Sequence, residues 1–325
     1  MNTMKTLARV GAVIALFALA LSGPPSLAQT WPQRAVKFMV PLGPGSGADV
    51  TARLLADHLS KRWGQPVVVE NRPGADGIVG LTAFLIGGDD HVLLFTPTGT
   101  FTSHPFLHDT LSYDQRDLVP IARVTNTLIS IAVPASLNTG SLAELVTLVR
   151  SRPGKLDWAS VTGATDLIFS GFLKGADLSM VRVAYREPSQ AINDLGEGRI
   201  QVFLSAFATV RPQLTGGKVK MLVVTNRERA PVAPDVPTVA EAGYPALQFD
   251  GLVGLFATPG MPVELRERIA ADVRAVLADP AIATRVAATG QIVSPGMPAE
   301  FAASIDEQRA KFAAIAQALD IKRKR

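Results

Sequence analysis

Short apolar segments alternate with segments of helical periodicity along most of this 325-residue chain, and this alternation limits the fold more than any other feature. The first five segments read strand, helix, strand, helix, strand, over residues 35–40, 50–63, 67–69, 78–86 and 92–96. A βαβαβ order implies parallel strands, because each right-handed crossover carries the chain back to the same edge of the sheet. We therefore predict an α/β protein with mostly parallel sheets flanked by helices.

The same alternation resumes after residue 140. Ser141–Glu144 is a capping box that opens a helix, and Thr238–Glu241 has the same pattern. Further strands are predicted at 156–160, 181–185, 200–204, 219–225 and 248–257, and further helices from about 166, from about 189, and over 263–277, 281–288 and 298–319.

Two long extended segments, near residues 121–134 and 219–257, predict that the chain crosses twice between two lobes. On this interpretation the first lobe combines residues 29–125 with 226–325, and the second lobe is 126–225. Strands that join two lobes form a hinge, so we expect the lobes to close on a ligand.

Residues 1–28 have the pattern of a secretory signal peptide. Two basic residues precede the apolar run Val10–Leu21, whose 12 residues are too few to cross about 30 Å of hydrocarbon. A Pro-Pro pair at 24–25 breaks the helix, and Ser26–Ala28 supplies the small residues of a cleavage site. We predict export with cleavage after Ala28. The alternative, an N-terminal anchor helix, is disfavoured by the short apolar run.

The amino-acid composition of the chain excludes several kinds of functional site. The chain has no cysteine, which excludes disulfides, thiolate metal sites, cysteine nucleophiles and a lipid-anchored N-terminal cysteine. Its 32 Lys and Arg residues exceed its 28 Asp and Glu residues by four, and four basic residues form the tail Lys322–Arg325. Without the tail the charges balance, so no nucleic-acid partner is predicted.

The glycine-rich segment Gly43–Gly47 does not match the enzyme motifs to which it can be compared. It lacks the GxGxxG spacing of a dinucleotide site, the Gly-Lys-Ser/Thr of a phosphate-binding loop and the GxSxG pattern of a hydrolase nucleophile. We therefore predict no catalytic residue and no cofactor.

His104 and His108 have the spacing of a metal-binding pair. Pro105 lies between them, however, and no third ligand is evident from the sequence. The pattern favours two residues of a surface loop, so no metal site is predicted, and a metal pair is the alternative.

The candidate binding site consists of loops that follow predicted strands. In an open parallel sheet, ligands bind beyond the carboxyl ends of the strands, where helix starts offer N–H groups and a partial positive charge. Several such loops together indicate a carboxylate site, whereas each loop alone fits a tight turn. The candidate residues are Gly43, Gly45, Ser46, Gly47, Ala48 and Asp49; Thr96, Thr98 and Thr100; Thr162, Gly163, Ala164, Thr165 and Asp166; and Tyr185 and Ser205.

Three of these residues have specific predicted roles. Asp49 is expected mainly to cap the helix that follows it, and Asp166 to stabilise the start of its own helix rather than to bind the ligand. Ser205 stands at a strand end where a carboxylate would bind a ligand ammonium group. A neutral hydroxyl there predicts an acid without an amine, either an aliphatic diacid or an aromatic acid.

Several longer motifs resemble one known family. Trp31–Asp49, the run Gly64–Ala75 (GQPVVVENRPGA) and the run Asp235–Gly243 (DVPTVAEAG) are similar to the Bug-type periplasmic receptors of tripartite tricarboxylate transporters. The resemblance extends over essentially the whole chain after residue 28. It implies a type II periplasmic-binding-protein fold of the Venus-flytrap form, which holds a small carboxylate between two lobes.

The resemblance also implies a function without catalysis. We expect a periplasmic solute-binding protein, acting as a monomer, that captures a small organic carboxylate and delivers it to membrane transporter subunits. The sequence departs from the family at Ser205, where the family often has Asp. Two alternatives remain open: a ligand sensor that feeds a signalling pathway, and a secreted hydrolase on a similar two-lobed scaffold.

Overall fold

The structure, a computed structural model, describes residues 31–185 and 187–321, and one compact unit begins at Arg34. The strands are β1 Val36–Val40, β2 Val67–Asn71, β3 Val92–Pro97, β4 Val119–Thr127, β5 Ile129–Pro134, β6 Asp157–Ser160, β7 Val181–Arg182, β8 Val202–Ala206, β9 Val219–Val224, β10 Gly251–Ala257 and β11 Gln291–Gly296. The α-helices are α1 Gly47–Trp63, α2 Ile78–Gly87, α3 Thr98–Leu107, α4 Leu142–Ser151, α5 Gly163–Gly175, α6 Pro188–Gly196, α7 Phe207–Thr215, α8 Val263–Leu277, α9 Pro280–Ala287 and α10 Pro298–Ala318.

The strands form two sheets. The first sheet has the order β11-β4-β10-β3-β1-β2, and β1 pairs in parallel with both β2 and β3, which confirms the predicted βαβαβ unit. The second sheet has the order β7-β6-β8-β5-β9, with β6 parallel to β7 and β8. Both sheets are mixed rather than mostly parallel, because the crossing strands β4, β5, β9 and β10 pair antiparallel to their neighbours.

The chain passes from one sheet to the other at Leu128. Strand β4 ends one residue before Leu128 in the first sheet, and β5 begins one residue after it in the second. The side chain of Asn226 holds both strands, since its Nδ2 donates to the carbonyl of Thr127 at 3.0 Å and its Oδ1 accepts from Ile129 N–H at 3.1 Å. The chain returns to the first sheet between Val224 and Gly251, so both sheet changes lie within the predicted crossings. The exact lobe boundaries stay a prediction.

The C-terminal helix α10 contributes to the cores of both sheets. Near its start, Phe301 and Ile305 pack with residues of the first sheet, whereas Phe312 belongs to the core of the second. The Phe301 ring lies so close to β10 that a Cβ atom on Gly254 would come within 2.4 Å of it. One helix thus spans the junction between the two sheets.

Several elements differ from the sequence-based prediction. Helices α3 and α7 and strand β11 were not predicted, and no α-helix follows the capping-box pattern at Thr238–Glu241 in this described part of the chain. The capping box itself forms there, because the Glu241 carboxylate accepts from Thr238 N–H at 2.8 Å and the Thr238 hydroxyl accepts from Glu241 N–H at 3.1 Å. Gly243, with φ of 86°, then turns the chain away before a second helical turn can form.

The structure does not describe the two chain ends for which the sequence suggested special features. The predicted signal peptide and the basic tail at 322–325 both lie outside the described residues. Within the described ranges, no helix combines the length and the apolar composition that a membrane crossing requires.

The close packing of α10 on β10 predicts that Gly254→Ala destabilises the protein. The added methyl group would also lie 2.4 Å from the backbone oxygen of Ala122, so the strand or helix must move, at a cost of about 1–3 kcal/mol. Thermal unfolding measures the effect. The control is Gly87→Ala at the exposed end of α2, where no atom lies within 4 Å of the new methyl group. Equal melting temperatures for the two variants would contradict this account of the junction.

Candidate functional site

Four helices begin where strands end on the facing edges of the two sheets. Helix α3 starts at the residue after β3 and α7 at the residue after β8, while short loops join β1 to α1 and β6 to α5. Their starts are close to one another: a Cβ atom on Gly99 in α3 would lie 3.0 Å from Cβ of Ala164 in α5. A Cβ atom on Gly290, just before β11, would lie 3.1 Å from the ring of Phe207 in α7. The predicted loops of the two lobes therefore meet at this edge.

The first loop is held in place by an N-terminal cap and a buried carboxylate. Ser46, rather than the predicted Asp49, is the N-cap of α1, and its hydroxyl accepts from Asp49 N–H at 3.2 Å. Asp49 is the third residue of the helix and only 2% exposed. Its carboxylate accepts from Gly45 N–H at 2.9 Å, from Asn71 Nδ2 at 2.8 Å and from Arg53 Nε at 3.2 Å. Asp49 therefore fixes the loop from within instead of capping the helix.

These contacts also determine the charge state of Asp49. Burial acts to raise the pKa of its carboxyl group, but the hydrogen bonds from Arg53, Gly45 and Asn71 outweigh burial and hold the pKa below its ordinary value. Asp49 is therefore ionised at neutral pH. Its charge is matched by Arg53, so the pair adds no net charge to the loop.

The surroundings and backbone conformations of the three glycines in the first loop differ. Gly45 has φ of 83°, a left-handed conformation that side chains other than glycine rarely adopt. Gly47 lies against the turn before β11, where an added Cβ atom would come within 2.9 Å of the backbone oxygen of Thr289 and of Nε2 of Gln291. A bulky residue at 47 would disturb this packing whether or not a ligand binds. Gly43 has open space around it.

The second predicted loop is the beginning of a helix. Thr98 is the first residue of α3, and its buried hydroxyl donates to the carbonyl of Leu252 at 3.3 Å. Thr96 and Thr100 are also buried, and Thr96 Oγ1 donates to the carbonyl of Pro97. The prediction of a hydroxyl-rich loop is therefore wrong, because Thr96 lies in β3 and Thr98 and Thr100 lie in α3. A binding role for these residues stays a prediction.

The third loop uses its hydroxyl groups to start α5. Thr162 is the N-cap, and it forms a reciprocal capping box with Thr165. The Thr165 hydroxyl also donates to the carbonyl of Thr162 at 2.9 Å. Because these hydroxyls bind one another and the backbone, the groups left to face a ligand are the N–H groups of Gly163 and Ala164, which have no acceptor within the helix.

The remaining candidates are engaged with other side chains or buried. Asp166 lies in the first turn of α5, as predicted, and accepts from Arg182 Nε at 2.6 Å. The Tyr185 hydroxyl donates to Asp194 at 2.7 Å, and burial followed by this bond raises the pKa of Tyr185 to about 12. Ser205 lies inside β8 rather than after it and is 1% exposed. Whether Tyr185 or Ser205 contacts a ligand stays a prediction.

Sequence reasoning missed one cluster beside this edge. His104 lies in α3 and is 0% exposed, so its predicted position in a surface loop is wrong. His104, His108 and Asp76 bring their donor atoms within 4.8 Å of one another. The four-residue spacing of the histidines was visible in the sequence, but Asp76 comes from the turn after β2 and only the fold brings it there.

A cavity of about 400 Å³ lies beside the crossing strands. Several of its charged groups are bound within the protein: Arg227 pairs with Asp250 and Glu307, and Lys311 donates to the carbonyl of Gln248. Burial, followed by the nearby charge of Arg227, lowers the pKa of Lys311. The cavity is lined by residues of the crossing segments, such as Asn226 and Asp250, and by none of the predicted site residues.

The contacts of Asp49 predict a pH-dependent contribution to stability. Because its native pKa is below its unfolded value of about 3.9, the contribution is full above that pH and is lost as the pH falls through the native pKa. Asp49→Asn should lower the free energy of unfolding by about 1–3 kcal/mol at pH 7, and by less at pH 3. Urea unfolding at both pH values measures this.

Asp57→Asn is the matched control, because Asp57 is exposed on the same helix. It should leave the free energy of unfolding nearly unchanged at both pH values. An equal loss for Asp49→Asn at pH 7 and pH 3 would contradict the role assigned to the carboxylate charge.

Comparisons with known proteins agree with the two-lobed architecture. A model of the tripartite tricarboxylate transporter family receptors matches residues 51–321 of this chain. A UPF0065 protein of Bordetella bronchiseptica is 31% identical over 306 residues, which cover 94% of this chain and 91% of the relative.

Two solved structures are similar over nearly their whole length. Rpa4515 of R. palustris, determined with adipate, has a TM-score of 0.79 and 26% identity, covering 90% of this chain and 99% of that one. MatC from Rhodopseudomonas palustris, with bound malate, has a TM-score of 0.75 and 27% identity, covering 88% and 99%. The match of the family model, the relative and the fold together show that this chain belongs to the tripartite tricarboxylate transporter family of receptors, which are periplasmic binding proteins.

Proposed function

We propose that this protein binds a small dicarboxylate, one without an amine, between its two lobes and delivers it to the membrane subunits of a tripartite transporter. The observation that carries the proposal is the meeting of helix starts from both sheets, with Gly99 of α3 against Ala164 of α5. A ligand bound at this edge contacts both lobes at once, so binding energy favours the closed arrangement.

The chemistry of the edge suits a carboxylate group. The first N–H groups of a helix have no intrahelical acceptor, and the aligned peptide dipoles place about half a positive charge there. Two basic side chains that reach these loops, Arg53 and Arg182, are bound to Asp49 and Asp166. The backbone is therefore the source of positive potential for a ligand anion.

The absence of an amine in the ligand follows from the pairing of Asp166. A ligand ammonium group needs a carboxylate partner, and Asp166 already forms a 2.6 Å ion pair with Arg182. The strand end that could hold another acid has the neutral Ser205. Adipate and malate, the ligands of two structural relatives, are both acids without an amine. These observations support an aliphatic diacid over an amino acid.

The proposal also includes export of the protein to the periplasm and contact with transporter subunits. Receptors of this family are periplasmic, and the predicted signal peptide at residues 1–28 would bring the chain to that compartment. There a monomer that closes around a dicarboxylate presents a closed two-lobed form to transporter subunits in the membrane.

Titration calorimetry of residues 29–325 with adipate, malate and aspartate tests the ligand class. Adipate or malate should bind at least about tenfold more tightly than aspartate, a difference of about 1.4 kcal/mol. Tighter binding of aspartate would contradict the proposal, as would the absence of heat with every dicarboxylate tried.

Arg182→Gln sharpens this test, because it frees the carboxylate of Asp166. The variant should gain affinity for aspartate relative to adipate. The control is Arg116→Gln, which removes an exposed arginine from its pair with Asp114 and should leave the preference unchanged. A preference unaffected by Arg182→Gln would show that Asp166 does not face the ligand.

Closure of the lobes predicts a second measurable effect. Ala164→Leu places a larger side chain at the contact with Gly99, so it should keep the lobes apart and weaken adipate binding at least about tenfold. Small-angle scattering should show a smaller radius of gyration with adipate for the unchanged protein but not for this variant. Ala143→Leu, on the exposed face of α4, is the control for the same substitution. Identical scattering of the unchanged protein with and without adipate would argue for a rigid site.

A further inference from the structure

The cluster of Asp76, His104 and His108 has a donor set that the proposed carboxylate site does not use. Nε2 of His104 lies 3.6 Å from Oδ2 of Asp76 and 3.2 Å from the backbone oxygen of the same residue. The rings of His104 and His108 are perpendicular, with centroids 5.0 Å apart. Two imidazoles and a carboxylate therefore converge on one small volume.

These separations are close to those that a metal ion requires. A tetrahedral Zn²⁺ site has bonds of about 2.0–2.2 Å to nitrogen and oxygen, which place its donor atoms about 3.3 Å apart. The distance of 3.6 Å from His104 Nε2 to Oδ2 of Asp76 is close to that spacing. The donor atom of His108 lies within 4.8 Å of the other two, and metal binding would require its partly exposed side chain to turn towards them.

The buried histidine is oriented as a metal ligand would be. Nδ1 of His104 lies 2.6 Å from the hydroxyl oxygen of Tyr113. A metal ion at Nε2 requires the ring proton to be on Nδ1, and the Tyr113 oxygen can accept that proton in a hydrogen bond. Metal-binding histidines are usually held by such a partner at the second ring nitrogen.

The backbone conformation at Ala75 and Asp76 also positions the Asp76 carboxylate. Asp76 has φ of 52° and follows Ala75, which has φ of 47°, so two consecutive residues other than glycine adopt the left-handed conformation. This turn directs both the carbonyl and the carboxylate of Asp76 towards His104. Such a conformation has an energetic cost, which a bound ligand can offset.

We propose that Asp76, His104 and His108 bind one divalent transition-metal ion of the Zn²⁺ type. Two imidazoles and one carboxylate favour such an ion over Mg²⁺ or Ca²⁺, which prefer oxygen ligands alone. Three side chains leave at least one coordination position for water or another oxygen. A Cβ atom on Gly163 would lie 3.2 Å from Oδ2 of Asp76, so the ion would be next to the start of α5. The consequence that a ligand carboxylate oxygen can reach the ion rests on the proposed function; the metal site itself does not.

A second histidine cluster, Asp89–His91, is a poorer candidate, because the charge of its Asp89 carboxylate is already matched by the cation of Arg34. Nδ1 of His91 lies 2.7 Å from the Asp90 carboxylate, while Asp89 accepts from His91 N–H and pairs with Arg34. Its three residues are also adjacent in the chain, whereas those of the proposed site come from two separate elements.

Zinc titration calorimetry of the EDTA-treated and dialysed protein, without any carboxylate ligand, tests the proposal. We expect one Zn²⁺ per chain, and at least about tenfold weaker binding for Asp76→Asn and for His108→Asn. Asn tolerates the left-handed conformation at position 76, and His108 is partly exposed, so both variants should fold. His104→Asn is avoided because His104 is fully buried.

Two controls separate this site from other imidazoles and from the carboxylate site. His58→Asn in α1 and His91→Asn should leave zinc binding unchanged. With Co²⁺ in place of Zn²⁺, visible absorption bands of a low-symmetry site should appear and should be lost in Asp76→Asn and His108→Asn. No zinc binding, or binding equally strong in these two variants, would overturn the proposal. Adipate titrations of the metal-free protein test the carboxylate site independently, so either result can fail without the other.

Discussion

The crossing of the chain at Leu128 brings the strand ends that precede α3 and α7 to the junction between the two sheets. In each sheet the parallel strands end on the same side, and β4 and β5 join the sheets at that side. The strand register shows this. Ile129, the first residue of β5, pairs with Ala206 at the end of β8. Thr127, the last residue of β4, pairs with Gly251, two residues before Val253, which pairs with Pro97 at the end of β3. Helices α3 and α7 start at the next residues. The hydrogen bonds of Asn226 to both strands hold this junction together.

Charge is distributed so that the edge between the sheets keeps its backbone donors available. Asp49 is buried but bound by three donors, and Asp166 is paired with Arg182. An unpaired acid at either position would repel a carboxylate and cancel the positive potential of the helix start. The hydroxyls of Ser46 and Thr162 serve as N-caps, which positions the helices and leaves the following N–H groups to a ligand. In the proposed site, the side chains thus position the helices and the backbone supplies the donors.

The sequence was sufficient for the parts of the fold that depend on local periodicity. The β1–α1–β2 unit was predicted because apolar residues recur at strand and helix spacings, and the parallel pairing followed from the order of elements. Helix α3 was not predicted, because Thr98–Leu107 is rich in Thr and contains Gly99 and Pro105, which are weak helix formers. Its formation depends instead on burial of residues such as Phe101 in the core.

The parts of the candidate site that could be predicted are those that depend on the order of strands and helices. The loops at strand ends were identified from the order of elements alone, since that order fixes the direction of each strand. The partners of individual side chains were not, because they come from distant parts of the chain: Asn71 binds Asp49, Arg182 binds Asp166, and Asp76 contacts His104. Sequence patterns identified the residues with polar groups, but not whether those groups were already bound within the protein.

In the proposed binding mode, backbone N–H groups at the starts of α1 and α5 hold the ligand carboxylate. This mode can be tested by recording amide chemical shifts of the ¹⁵N-labelled protein during titration with adipate. We expect downfield proton shifts for the amides of Gly47, Ala48, Gly163 and Ala164, because each N–H group gains a charged acceptor. Shifts confined to residues that line the cavity beside the crossing strands, such as Arg123 and Lys311, with these four amides unchanged, would rule out this binding mode.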